Sequence, residues 1–127
     1  MKPLTSEWIE KAEGDYASAQ REFRARKLPN YDAACFHAQQ CVEKYIKANL
    51  QEADIAFPKI HDLVALLDIM LPIEPLWSSF KPQLRILSSL AVEVRYPGLT
   101  ADKDMAEQAI KICKSVRKSA RLSLGLS

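Results

Sequence analysis

With 127 residues, 48% of them hydrophobic and 27% charged, and a formal net charge of +2, the chain is long enough to bury one real core and is composed like an ordinary soluble globular protein. Three glycines in all exclude a Gly-rich phosphate loop and argue against a turn-rich sheet protein. The small net charge does not by itself imply a nucleic-acid partner, so local clusters have to carry that case.

The first predicted helix runs from about Ser6 to Arg24, with Thr5 or Ser6 as its cap and Glu7 and Glu10 facing the positive helix end. Trp8, Ala12, Tyr16, Ala19 and Phe23 recur at helical spacing and make its buried stripe. Asp15 lies at the edge of that stripe, where a carboxylate needs a partner. Arg21, Arg24, Arg26 and Lys27 crowd the far end, as dipole compensation favours. Leu28-Pro29-Asn30 closes this helix, and Asn30 is a fitting N-cap for the next.

The second predicted helix, Tyr31–Leu50, sorts into two faces. Tyr31, Ala34, Cys35, Ala38, Cys41, Val42, Tyr45 and Ile46 form a wide apolar stripe suited to a bundle core. His37, Gln40, Lys44 and Lys47 recur at steps of three and four on the other side. That row reads either as a solvated face or as a line of donors for a ligand.

The apolar pattern lapses through residues 51–59, a loop holding Pro58. A short helix follows, carrying Leu63, Val64, Leu66, Leu67 and Met70, with His61 or Asp62 at its start. Leu71-Pro72 and Glu74-Pro75 break it, and Pro82 suits the first turn of a fourth helix whose core positions are Leu84, Leu87, Ala91 and Val94. Arg95 continues that stripe, so its guanidinium is expected to point inward or along the bundle rim, or to cap the last carbonyls. Tyr96-Pro97-Gly98 stops the helix. The last helix is expected from a Thr100 N-cap to about Arg121, with acids at its start and Lys111, Lys114, Arg117, Lys118 and Arg121 as a basic row at its end. That row is read as solvated, with phosphate contact or a partner surface as the alternatives. Residues 122–127 are expected to be a flexible tail.

All five segments are helical and most connections are short, so the fold class is all-α: an up-and-down antiparallel bundle of four long helices plus one short helix, in a single domain over 1–127. Cys35, Cys41 and Cys113 form no CxxC pair and no metal-ligand spacing, and each falls on an apolar stripe. Buried, reduced thiols in a cytoplasmic protein are the expectation. No metal and no cofactor is expected. No signal core and no run of about 20 apolar residues is seen, so no membrane association is expected.

Four pieces in order resemble one family. Trp8, Ala12, Asp15 and Ala19 come first, then HAQQCVEKYIKA at 37–48, then His61-Asp62-Leu63 with Leu66 and Leu67, then Arg95-Tyr96-Pro97-Gly98. Together they resemble the HEPN domain over nearly the whole length. The resemblance implies a helical bundle, usually a homodimer, found beside small nucleotidyltransferases in prokaryotic toxin–antitoxin modules or as an RNA-cleaving domain, and associated with nucleotide binding. It also implies that a tyrosine, here Tyr96, is a target for modification by the partner nucleotidyltransferase.

The chain departs from the family's ribonucleases at one point. Those carry an Arg followed after four to six residues by a His, and here the Arg would be Arg95. Thr100, Ala101 and Asp102 occupy the positions of the His. The two histidines, His37 and His61, both lie upstream. Metal-free RNA cleavage needs a base for the 2′-hydroxyl and a group that stabilises the leaving oxygen. Arg95 suits the second task and nothing in sequence owns the first, so conventional ribonuclease activity is not expected; Arg95, His37 and His61 are the only catalytic candidates. The expected ligand set gathers Arg95 and Tyr96 with His37, Gln40, Lys44 and Lys47, and with Asp15 or His61 holding a donor in place. Such a set suits a phosphate or a base edge. Three functions compete: a nucleotide- or RNA-associated partner of a separate nucleotidyltransferase, an RNA-cleaving toxin with a variant site, and a non-catalytic helical scaffold.

Overall fold

The computed structural model describes residues 1–93 and 96–127. Five α-helices carry the fold: α1 (Pro3–Arg24), α2 (Tyr31–Glu52), α3 (Leu63–Met70), α4 (Lys81–Glu93) and α5 (Lys103–Ser123), with a 3₁₀ helix at Pro75–Phe80 leading into α4. No strand occurs among the described residues. The chain is the expected all-α bundle of four long helices and one short one.

Hydrogen bonds between elements give the directions. Lys2 reaches Glu52, Glu13 reaches Tyr45 and Asp15 reaches His37, so α1 and α2 run antiparallel. Asp32 meets Ala101 and Tyr45 meets Arg121, so α2 and α5 run parallel, as the second and last rods of an up-and-down bundle should.

The second helix is the centre of the molecule, packing against α1, α3, α4 and α5. Ala34, Cys35, Ala38, Cys41, Val42, Tyr45 and Ile46 are fully buried. Its last turns are enclosed all round, since Lys47, Ala48, Asn49 and Leu50 are buried as well. Alanines are fully or nearly fully buried in the packing: Ala12 and Ala19 on α1, and Ala106, Ala109 and Ala120 on α5. Small side chains at a helix contact permit close packing of neighbouring axes. Leu63, Leu66 and Leu67 of α3 with Leu84 and Leu87 of α4 close the far side, each contributing about 1.5–3 kcal/mol by burial.

The helix starts follow from their caps. Asn30 accepts from the Ala33 N–H, Asp62 accepts from Val64 and Ala65, and Asp102 accepts from Met105. Three sequence expectations are corrected here. The first helix starts at Pro3, behind Lys2, rather than at Ser6, because proline is suited to the opening turn. Thr5 is thereby inside the helix, fully buried, and caps nothing. The last helix takes Asp102 rather than Thr100 as its cap, since the carboxylate reaches the Met105 N–H at 2.8 Å.

Between α2 and α3 the chain folds back on the bundle. Ile55 N–H returns to the Leu50 carbonyl at 2.9 Å, and Phe57 packs on Trp8 with ring centroids 6.3 Å apart. This loop delivers His61 to the flank of α2. No described helix is long and apolar enough to cross a membrane.

Candidate functional site

On the polar side of α2 two parallel rows run at one-turn intervals. Gln39, Glu43 and Lys47 form one, and His37, Gln40 and Lys44 lie beside it. The first row is enclosed: Gln39, Glu43 and Lys47 are all buried. Glu43 is its hub. The Lys47 ammonium donates to Oε2 at 3.0 Å, Gln39 Nε2 donates to Oε1 at 3.2 Å, and His61 Nδ1 lies 3.0 Å from Oε2. Burial pushes the Glu43 carboxyl up, but the His61, Lys47 and Gln39 donors together outweigh it and hold it below the usual carboxylate range. Lys47 also sits over the Trp8 ring, 5.5 Å from its centroid. Gln39 is held on both sides, its Nε2 donating to the His61 carbonyl and its Oε1 accepting from Gln40 at 2.7 Å.

His61 is thus fastened through backbone and ring, yet its side chain is 77% exposed. An ionised carboxylate only accepts, so Nδ1 carries the proton toward Glu43 and Nε2 is left toward solvent. The second row is tied to α1 in the same way. Asp15 accepts from His37 Nδ1 at 2.8 Å and from the Lys44 ammonium at 2.5 Å. The His37 ring stacks on Phe36, 5.4 Å between centroids. Each histidine of the chain therefore has a carboxylate behind one nitrogen.

Gln39 and His61 face a cleft of about 370 Å³, completed by Asp62 and by Ser88, Ala91 and Val92 of α4. The structure brings together Lys47 and His61 around Glu43, with Gln40 joined to them through Gln39, and His37 and Lys44 around Asp15. The row read from sequence is only partly solvated: Lys47 is buried, and His37, Gln40 and Lys44 are half-buried, with His37 and Lys44 tied to Asp15 of α1. Tyr96 is exposed, and among the described residues no hydrogen bond or ion pair joins its side chain to either cluster. Arg95, expected to aim inward, lies outside the described residues. Two of the positions where a ribonuclease histidine would fall have structural work: the Ala101 N–H donates to Asp32 at 2.7 Å, and Asp102 caps α5.

Gln39 and Glu43 were not among the residues singled out from sequence, although both lie in the HAQQCVEKYIKA segment. The signal is their one-turn spacing ahead of Lys47: amide, acid and ammonium in a ladder along one line of a helix. A second network also escapes the sequence reading. Glu13 takes a fork of two bonds from Arg117, both 2.7 Å, and one from the Tyr45 hydroxyl at 2.5 Å, while Arg121 donates to that same hydroxyl at 3.1 Å. Arg117 lies over the Tyr16 ring at 4.3 Å. The Arg117 bonds hold the Glu13 carboxyl below its usual range despite partial burial, and burial with the Glu13 contact pushes the Tyr45 phenol up. The basic row of the last helix is therefore divided: Arg117 and Arg121 turn inward as structural ties, while Lys111, Lys114 and Lys118 stay exposed. Among the described residues no group of three His, Cys, Asp or Glu side chains is gathered as a metal ion would need.

Comparison with known proteins adds two findings. The HEPN domain profile matches residues 5–122. The crystal structure of an archaeal HEPN homologue superposes with a TM-score of 0.65 at 24% sequence identity, covering 94% of this chain and 96% of that one. No curated protein matches the chain significantly in sequence.

Proposed function

The chain belongs to the HEPN family, and from that premise we propose that it is a nucleotide- or RNA-associated partner of a separate nucleotidyltransferase in a toxin–antitoxin-type module, acting as a homodimer in the cytoplasm. One observation carries the ligand part of this reading: the cleft beside α2 has the volume of a small-molecule site, and its polar wall is Gln39 and an imidazole fixed by Glu43. Ala91 and Val92 offer an apolar wall to a base, and the exposed His61 ring, held in place through Glu43 and Gln39, offers its edge a hydrogen bond. Lys44, on the adjoining row and already paired with Asp15, is the ammonium on that side of α2 that a phosphate would engage. Titration of ATP and of a short RNA into the purified protein tests this, with His61→Ala and Lys44→Ala as variants checked for helicity. Binding that weakens about tenfold in either variant, one hydrogen-bonded contact to a charged group, supports the cleft. Wild-type protein that takes up neither ligand removes it. Co-expression with the nucleotidyltransferase encoded beside it tests the partnership, and a stable complex on gel filtration is the expected result.

RNA cleavage through a variant site is a second reading, favoured by the Glu43–His61 pair. With Nδ1 held by the carboxylate, Nε2 is placed to accept a proton from a ribose 2′-hydroxyl. Arg95 would then oppose the developing negative charge. Total RNA incubated with the protein decides it: cutting that vanishes in both His61→Ala and Arg95→Ala supports the enzyme, and intact RNA leaves the binding module.

A further inference from the structure

The α1–α5 face carries a groove that shares no residue with the two α2 clusters. Phe23 and Tyr31 lie in its floor as a tilted ring pair, centroids 6.1 Å apart, and Ile110 continues the apolar surface along α5. Its rims are exposed cations: Arg24 and Arg26 on one side, Lys103, Lys111 and Lys114 on the other. Among the described residues none of these five takes part in an ion pair with the chain's own acids, in contrast to Arg117 and Arg121 on the same helix. The single acid in the groove is Glu107.

We propose that this groove is a track for single-stranded RNA, with backbone phosphates on the Arg24–Lys111–Lys114 rims and a base against the Phe23–Tyr31 rings. This extends the nucleotide- or RNA-associated reading to a second surface and rests on it. Three features select the occupant. Unpaired cations on both rims fit a polyanion. Lys103 and Lys114 lie eleven helical steps apart, about 16 Å, room for several consecutive phosphates. Half-buried aromatic rings in the floor offer a stacking surface that a bare phosphate chain or an acidic peptide does not use. Glu107 then has a role that would be a liability on a plain anion site: it accepts from a ribose 2′-hydroxyl, a donor that DNA lacks.

The test is fluorescence anisotropy of a 5′-labelled oligouridine twelve-mer and its deoxy counterpart over a salt series, on wild-type protein and on a Lys111→Glu/Lys114→Glu double variant. Both positions are exposed on α5, and circular dichroism checks that the double variant stays helical. The expected result is RNA binding with log K falling linearly in log salt, a loss of tenfold or more in the double variant, and a salt slope shallower by about 1.4, the share of two single-strand phosphate contacts. Glu107→Ala is expected to narrow the RNA-over-DNA preference. RNA binding that is unchanged by the double reversal overturns the groove while leaving RNA association through the α2 cleft standing. Absence of any RNA binding at low salt overturns both. DNA bound as well as RNA, or an acidic peptide that displaces RNA at equal charge, overturns the assignment of the occupant to RNA.

Discussion

A carboxylate as enclosed as Glu43 persists only because both oxygens are occupied, by Lys47, Gln39 and His61. Removing the acid is therefore worse than never having had it. Glu43→Ala would leave the Lys47 ammonium buried with no counter-charge, its remaining favourable neighbour being the Trp8 ring. Breaking a buried pair from one side costs about 3–5 kcal/mol, and urea denaturation of this variant should show a loss of that size. Replacing both partners, Glu43→Gln with Lys47→Met, should recover most of it, because no charge is then stranded. A loss under about 1 kcal/mol for the single change, the size of a surface pair, would mean water reaches Lys47. The Asp62 cap is a smaller matter: Asp62→Ala gives up two N–H contacts at the start of α3 and should cost about 1 kcal/mol.

Among the elements, α1, α2 and α5 are tied at one point by Glu13, Tyr45, Arg117 and Arg121. Both Glu13 and Glu43 have carboxyls held lower in the folded chain than their ordinary range, through the Arg117 and Tyr45 bonds in one case and the His61, Lys47 and Gln39 bonds in the other. A depressed folded value means the unfolded chain binds the proton more tightly. The stability each group gives is fully present above the unfolded pKa, about 4.3 for glutamate, and is lost as pH falls through the lower folded value. Thermal unfolding should show a melting temperature level near neutrality and dropping below about pH 4.3. Glu13→Gln should melt lower at pH 7 and show a shallower acid drop; an unchanged acid slope would mean Glu13 is not held by Arg117 in solution. Five helices, the Asn30 cap, the Asp62 cap as one of two candidates beside His61, and the apolar stripe of α2 were legible because period and cap chemistry are local. The opening turn was not, since Thr5 and Pro3 are both credible near a helix start and only burial of Thr5 decides between them. Nor was the enclosure of the α2 polar rows. A helical projection gives the direction of Gln39, Glu43 and Lys47, but not that a loop pinned by Phe57 on Trp8 will fold over them. Asp15 at the rim of an apolar stripe did announce a partner, and its partners are Lys44 and His37.

At the scale of the whole molecule, all three cysteines face the region where α2 meets α5, and none has an exposed thiol. Burial, with Asp32 and Asp102 nearby, pushes the Cys35 thiol up to about 11. The Cys41 thiol is pushed well up by its contact with Cys113 and by burial. Thiolate is the reactive form, so at neutral pH Cys35 and Cys41 are protected twice, by access and by ionisation, and Cys113 by access. The seam that hides them is the packing of the central helix, with Ala109, Val116 and Ala120 of α5 laid along it. It cannot open without detaching α5, and detaching α5 also breaks the Glu13 fork to Arg117 and strips the bundle of one of its four long rods. Exposure of the cysteines should therefore coincide with global unfolding rather than precede it. Labelling with a chromogenic disulfide reagent in native buffer is expected to be slow. In graded urea its rate should rise in proportion to the unfolded fraction seen by circular dichroism, with all three thiols reacting together. One thiol that reacts within seconds in native buffer, or that labels at urea concentrations where helicity is intact, would show that α5 parts from α2 on its own. In that case the α1–α5 groove would open with it, because Phe23 of α1 and Ile110 of α5 share that groove.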